Sequence, residues 1–215
     1  MRHCFVTGCD LETEWQLPWF IENYRSNCDS PLLIADFGMS EDMLSRVSGF
    51  AHRIITCNSE QGWFNKLDAM IEAAHQEFHR VCWLDTDCQV MSNPNNIFNY
   101  VEHNKVTMVK DHPWSLRRPE NGDWYNSGVI AFEGRPPVLR MWLNEANNGD
   151  HRGDQEAMHH MINGCHMKRM MTISPAPHRY NVLRLDVIDN NVPSNPIIMH
   201  WTGEKGNEEI KQQMK

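Results

Sequence analysis

The stretch Arg80-Val81-Cys82-Trp83-Leu84-Asp85-Thr86-Asp87 sets a run of apolar residues directly before two carboxylates one residue apart. Val81 to Leu84 have the length and composition of a buried strand, and Met91-Ser92-Asn93-Pro94 mark a loop beyond it. Carboxylates at the end of a buried strand are costly to withdraw from water without a partner. In an open α/β sheet the carboxyl ends of the strands face the ligand crevice. Alternate residues of an extended chain share a side. Asp85 and Asp87 therefore point to a divalent cation that holds a phosphate-bearing ligand. Two solvated acids in an ordinary turn are the alternative.

The residues before this stretch alternate in period. His3 to Thr7, Leu32 to Ala35 and Arg53 to Thr56 read as strands. Between them, Trp15 to Ser26 carries a helical apolar stripe, and Ser40 with Glu41-Asp42 opens a short helix to Val47. Gln61 to Phe78 has its core face at Phe64, Leu67, Met70, Ile71, Ala74 and Phe78. This β-α-β-α-β-α-β order predicts an α/β fold with a mostly parallel central sheet and helices on both faces. The second half is less regular and predicts mixed additions. It offers strands at Lys105 to Val109, Ser127 to Phe132, Arg169 to Ile173 and Pro196 to His200, and helices at Val138 to Ala146 and Asp154 to Ile162. Asp111 to Asp123 reads as a polar loop, and a polar tail follows His200. At 215 residues, with no repeat or linker, the chain is expected to form a single domain over residues 1–215.

Composition removes several function classes. A net charge of -8 argues against a nonspecific nucleic-acid binder. No apolar run approaches a membrane span, and the Met1 to Gly8 segment is too short for a secretory signal. The seven cysteines are scattered and contain no Cys-x-x-Cys pair, so neither a zinc ribbon nor a disulfide framework is expected. A reducing, cytoplasmic setting is the expectation.

Several separated segments, taken in order, resemble one family. They are Phe5-Val6-Thr7, Phe64-Asn65-Lys66-Leu67, Trp83-Leu84-Asp85-Thr86-Asp87, Tyr125-Asn126-Ser127-Gly128-Val129, Gly153-Asp154-Gln155 and His200-Trp201-Thr202-Gly203-Glu204-Lys205-Gly206. Together they resemble glycosyltransferases of the GT-A fold, closest to family eight, the glycogenin and lipopolysaccharide galactosyltransferase group. The resemblance implies transfer of a hexose from a UDP-sugar with retention at the anomeric carbon. It implies a Mn²⁺ cofactor, with Mg²⁺ also admissible, and an acceptor that is a glycan, a lipid-linked sugar or a protein.

Residue by residue, the resemblance makes Asp87 and His200 direct metal ligands and shares Asp85 between metal and ribose. Thr7 and Gly8 frame the uridine. Lys66 reaches the donor phosphate or sugar, and Asn126 and Ser127 meet sugar hydroxyls. Asp154 and Gln155 lie beneath the donor sugar as the catalytic pair. Gly203 and Lys205 approach the pyrophosphate, although Lys205 stands five residues after His200 rather than the family's six, and Gly206 replaces a proline. Trp114, Arg117, Arg118 and Trp124 mark a candidate acceptor edge. Two rival functions remain: a haloacid-dehalogenase-like phosphatase, which also uses a strand-end Asp-x-Asp, and a non-catalytic sugar-nucleotide-binding module.

Overall fold

The computed structural model describes residues 2–57 and 65–215. Strands β1 (His3–Cys9), β2 (Leu32–Asp36), β3 (Arg53–Thr56) and β4 (Arg80–Leu84) pair in parallel in the order β3-β2-β1-β4. Parallel neighbours need long crossovers. α1 (Leu17–Asn27), α2 (Glu41–Val47) and α3 (Asn65–Ala73) lie in them. Ser40 caps α2 by accepting from Met43 N, as its position predicts. Beyond β4 the sheet continues through β7 (Tyr125–Glu133), β6 (Val106–Lys110) and β8 (Ile173–Ala176). β7 runs against both of its neighbours, while β6 and β8 are parallel. The result is the expected mostly parallel sheet with mixed additions.

Both faces of this sheet are covered, which is why its strands read as unbroken apolar runs. Phe5, Ile34, Cys82, Leu84, Val129 and Ala131 face a core completed by α1, α2 and a 3-10 turn at Asn95–Tyr100. Val6, Leu33, Val81, Trp83, Ile130 and Phe132 face a second core under α3, α5 (Pro137–Asn148) and α6 (Asp154–Ile162).

A small second sheet was not foreseen. β5 (Cys88–Val90) pairs antiparallel with β10 (Ile198–His200), which pairs in parallel with β9 (Val182–Leu183). Its register sets His200 opposite Cys88 and so beside Asp87.

Three expectations are corrected. The polar loop from Asp111 contains α4 (His112–Arg117) and a 3-10 turn at Pro119–Asn121. Asp111 caps α4 by accepting from Trp114 N, and Pro113 sits in its first turn, where proline is tolerated. The strand expected at Arg169 to Ile173 is mostly α7 (His166–Thr172), and β8 starts at Ile173 and runs through Pro175. Proline is admissible there because β8 is the sheet's edge. The polar tail is helix α9 (Gly203–Gln213), which buries only Gly206 and Ile210 and so carries a weak apolar signal. A short α8 (Arg184–Ile188) also precedes β10. Phe64 and the start of the Gln61 to Phe78 helix lie outside the described residues. α3 ends at Ala73, and Phe78 is buried from the connection beyond it. Among the described residues, no helix is long and apolar enough to cross a membrane.

Candidate active site

The carboxyl ends of β1 and β4 open onto a cleft of about 330 Å³, with Gly8, Lys66, Asp85, Asp87 and Gly203 in its wall. A tight turn joins β4 to β5, closed by Cys88 N donating to Asp85 O at 3.0 Å. Thr86 donates to Gln16 Oε1 at 2.6 Å. Asp85 and Asp87 both line the cleft, placed there by the turn and not by the strand alternation expected from the sequence, because β4 ends at Leu84.

Asp85 is held by Trp83 Nε1, which donates to its Oδ1 at 2.6 Å, and by Lys66 Nζ at 3.0 Å. The same Nζ lies 3.0 Å from Asp154 Oδ2 and donates to Ser127 O at 3.1 Å. The three hydrogens of Lys66 thus already face protein acceptors. Burial alone would lower its pKa, but Asp154 and Asp85 outweigh burial and hold it above the ordinary lysine value. Asp154 Oδ2 is buried and faces the Lys66 ammonium. Trp142 Nε1 donates to Asp154 O at 2.8 Å and seats the first turn of α6.

His200 Nε2 is 3.0 Å from Asp87 Oδ1 and 3.9 Å from Asp85 Oδ2. Trp201 N donates to Asp87 O at 3.0 Å, locking the end of β10 to the acid pair. Burial disfavours the imidazolium, but Asp87 beside it, with Asp85 beyond, leaves the His200 pKa above the ordinary 6.5. Cys88 lies close by, yet burial holds its thiol well above its ordinary pKa. Asp87, Cys88 and His200 each offer a ligand atom within 4.8 Å of the others, and Asp85 Oδ2 lies 3.9 Å from His200 Nε2; the carboxylates and the imidazole are the harder donors of the group.

The other ring nitrogen of His200 begins a relay of amides. Its Nδ1 is 3.0 Å from Asn181 Oδ1. Asn181 Nδ2 donates to Asn126 Oδ1 at 2.8 Å, Asn126 Nδ2 to Gln155 Oε1 at 3.0 Å, and Gln155 Nε2 to Asp111 Oδ2 at 3.2 Å. A carboxylate only accepts. Gly128 N donates to Asn126 Oδ1 and Ser127 N to Gln155 Oε1, which fixes both amides with NH₂ toward Asp111 and oxygen toward His200. The Nδ1 position then carries the proton, and in the neutral ring Nε2 turns a lone pair toward the acids.

The predicted residues do not all converge. Lys66, Asp85, Asp87, Asp154 and His200 meet, and Asn126 and Gln155 join them through the relay. Ser127 contributes its carbonyl to Lys66. Gly128 leaves room for His200, because a Cβ there would overlap the imidazole. Gly8 faces the cleft and is required by packing, since its Cβ would stand 2.8 Å from Ala35 Cβ. Thr7 is fully buried, and Lys205 is exposed on α9. Of the proposed acceptor edge, Arg117 is committed to Asp189 at 2.8 Å and Trp124 stacks on His159. Trp114 is exposed, with Arg118 over its ring. Asn181 was missed because nothing in its spacing ties it to His200; the β9–β10 pairing does. Asp111 was seen only as a loop boundary.

Residues 78–214 match the nucleotide-diphospho-sugar transferase family. No curated protein matches the sequence. An active-site mutant of LgtC superposes with a TM-score of 0.70 at 12% identity, over 98% of this chain and 95% of that one. Galactosyltransferase LgtC in complex with donor and acceptor sugar analogs does so with 0.68 at 14%, over 97% and 94%. A glycosyltransferase involved in glycosylation of the major capsid of PBCV-1 gives 0.63 at 12%, over 100% of both chains. At such identities the likeness is one of fold, the GT-A arrangement.

Proposed function

Because the chain belongs to the nucleotide-diphospho-sugar transferase family, we propose that this glycosyltransferase moves a hexose from a UDP-sugar, with Mn²⁺ and with retention at the anomeric carbon. The observation that carries this reading is the meeting of Asp85, Asp87 and Lys66 in the cleft wall with the buried His200 and Asp154 directly behind them. Asp87 and His200 would hold the ion, with Asp85 shared between it and the ribose. Carboxylate oxygens with one imidazole fit Mn²⁺ better than Mg²⁺, which remains the alternative. The close approach of Asp87 Oδ1 and His200 Nε2, with Gly128 making space for the ring, supports that fit. When bound, the ion supplies positive charge against which a nucleoside diphosphate departs.

The chain's own groups do the rest. Lys66 keeps its charge and ties Asp85 to Asp154, so the metal edge and the sugar edge are set by one side chain. The Asp154 carboxylate, fixed by Lys66, would accept from a sugar hydroxyl. Gln155 and Asn126 hold that edge in place through the relay. Gly8 and Gly203 allow backbone to approach the nucleotide. Glycan, lipid-linked sugar and protein are the acceptor classes, and the exposed ring of Trp114 is a candidate to stack on a sugar.

Calorimetry tests the reading. UDP binding is expected to need Mn²⁺ and to vanish in Asp87→Ala; unchanged binding there removes the metal assignment. Tight UDP binding with no UDP released from any UDP-sugar would make the chain a binding module. A phosphatase is disfavoured because residues 78–214, the acid pair included, match the nucleotide-diphospho-sugar transferase family. Turnover of an aryl phosphate with Mg²⁺ would restore it.

A further inference from the structure

A second group of metal-binding side chains lies where α5 hands over to α6. Glu145 near the end of α5, His151 in the connection and His160 on α6 converge. Glu145 Oε1 is 2.8 Å from both His151 Nε2 and His160 Nδ1, and the three ligand atoms lie within 4.8 Å of one another. The connection is shaped to this end. Gly149 N donates to Glu145 O at 2.8 Å and closes α5. A Cβ on Gly149 would overlap the His151 ring, so glycine seats that imidazole against the helix end. The His151 side chain is 9% exposed, Glu145 30% and His160 70%. The group is therefore closed on one side and open to water on the other.

We propose that Glu145, His151 and His160 form a divalent transition-metal site, with zinc the best-fitting ion and water as its fourth ligand. Two imidazoles and one carboxylate are a borderline donor set that zinc accepts in tetrahedral form. Zinc bonds of about 2.0–2.1 Å set tetrahedral ligand atoms roughly 3.3 Å apart. The present 2.8 Å contacts need only a small opening, which the exposed ring of His160 can supply. The site would staple α5 to α6. That link matters because α6 starts with Asp154 and Gln155, and Trp142 of α5 already holds the Asp154 carbonyl. An ion on Glu145, His151 and His160 would restrain the rest of the same connection.

The test is zinc calorimetry on metal-free protein, using wild type, His200→Ala, and His200→Ala combined with His160→Ala. Removing His200 first separates this site from the cleft, so the outcome does not depend on how the cleft is read. The expected result is one zinc per chain that survives His200→Ala and is lost when His160→Ala is added. Co²⁺ in its place should give the intense visible bands of a four-coordinate ion, absent from the same double variant. His160 is exposed, so its replacement should fold; if it does not, Glu145→Gln must abolish the same binding. Zinc retained in full after His160→Ala, as exposed Cys165 could retain it, overturns the proposal. So does zinc lost with His200 alone.

Discussion

Two acid–imidazole clusters in this molecule have nearly equal contact distances and opposite surroundings. Asp87 and His200 stand 3.0 Å apart, and Glu145 lies 2.8 Å from His151 and His160. The first histidine is buried, packed over Gly128 and oriented through four side chains ending at Asp111. The second cluster has one seated ring and one solvated ring. In the cleft, burial opposes the His200 charge and Asp87 restores it. At the surface, hydrogen bonds from His151 and then His160 lower the Glu145 pKa. The contrast shows that distance alone does not make a prepared ligand. Preparation comes from the groups behind the ring, because they choose its proton and remove its freedom.

Breaking the support behind the buried ring should have the largest effect. Gly128→Ala forces a methyl group into the imidazole. It is expected to cost roughly 1–3 kcal/mol in urea unfolding and to abolish Mn²⁺-dependent UDP binding. Stability retained together with full binding would show that the ring has room to move. Asn181→Ala leaves His200 Nδ1 without its partner, while Asn126 Oδ1 keeps the Gly128 N–H. It should weaken Mn²⁺ about 10–100-fold by calorimetry. An unchanged affinity would mean that the relay does not orient His200.

Asp154→Asn sharpens the division of labour within the cleft. Turnover should fall far more than UDP affinity; equal losses would recast Asp154 as a helix-end support. A gentler effect is expected from pH in the metal-free protein. The His200 pKa is raised on folding, so the pair's contribution to stability is whole below the ordinary 6.5 and fades as pH climbs through the raised value. The advantage of the wild type over Asp87→Asn in urea unfolding should shrink across that window, and a constant gap would contradict the assignment. Smallest of all, His160→Ala without zinc should change stability by no more than about 0.5 kcal/mol, because its side chain is exposed.

Where local pattern and tertiary context agree, the chain was legible. Arg53–Thr56 and Asp154–Ile162 appear with the boundaries their periodicity predicts, and Ser40 caps its helix. Misreadings fell where the apolar signal was weak or a proline misled. α9 buries too little to show a stripe, and β8 admits Pro175 only because it is an edge. The surface cluster was invisible because Glu145, His151 and His160 follow no metal-ligand spacing and meet only when α5 folds back on α6.

From the order of residues alone followed the α/β class, the mostly parallel sheet and the acid pair at the end of β4, since strand period and burial are properties of short segments. The company those acids keep was settled only by folding. A three-residue strand, β10, crosses to β5 and sets His200 beside Asp87, while β9 brings Asn181 behind the ring. The β5–β10 pairing joins residues more than 100 positions apart. No local periodicity encodes it; the packing of the whole sheet does.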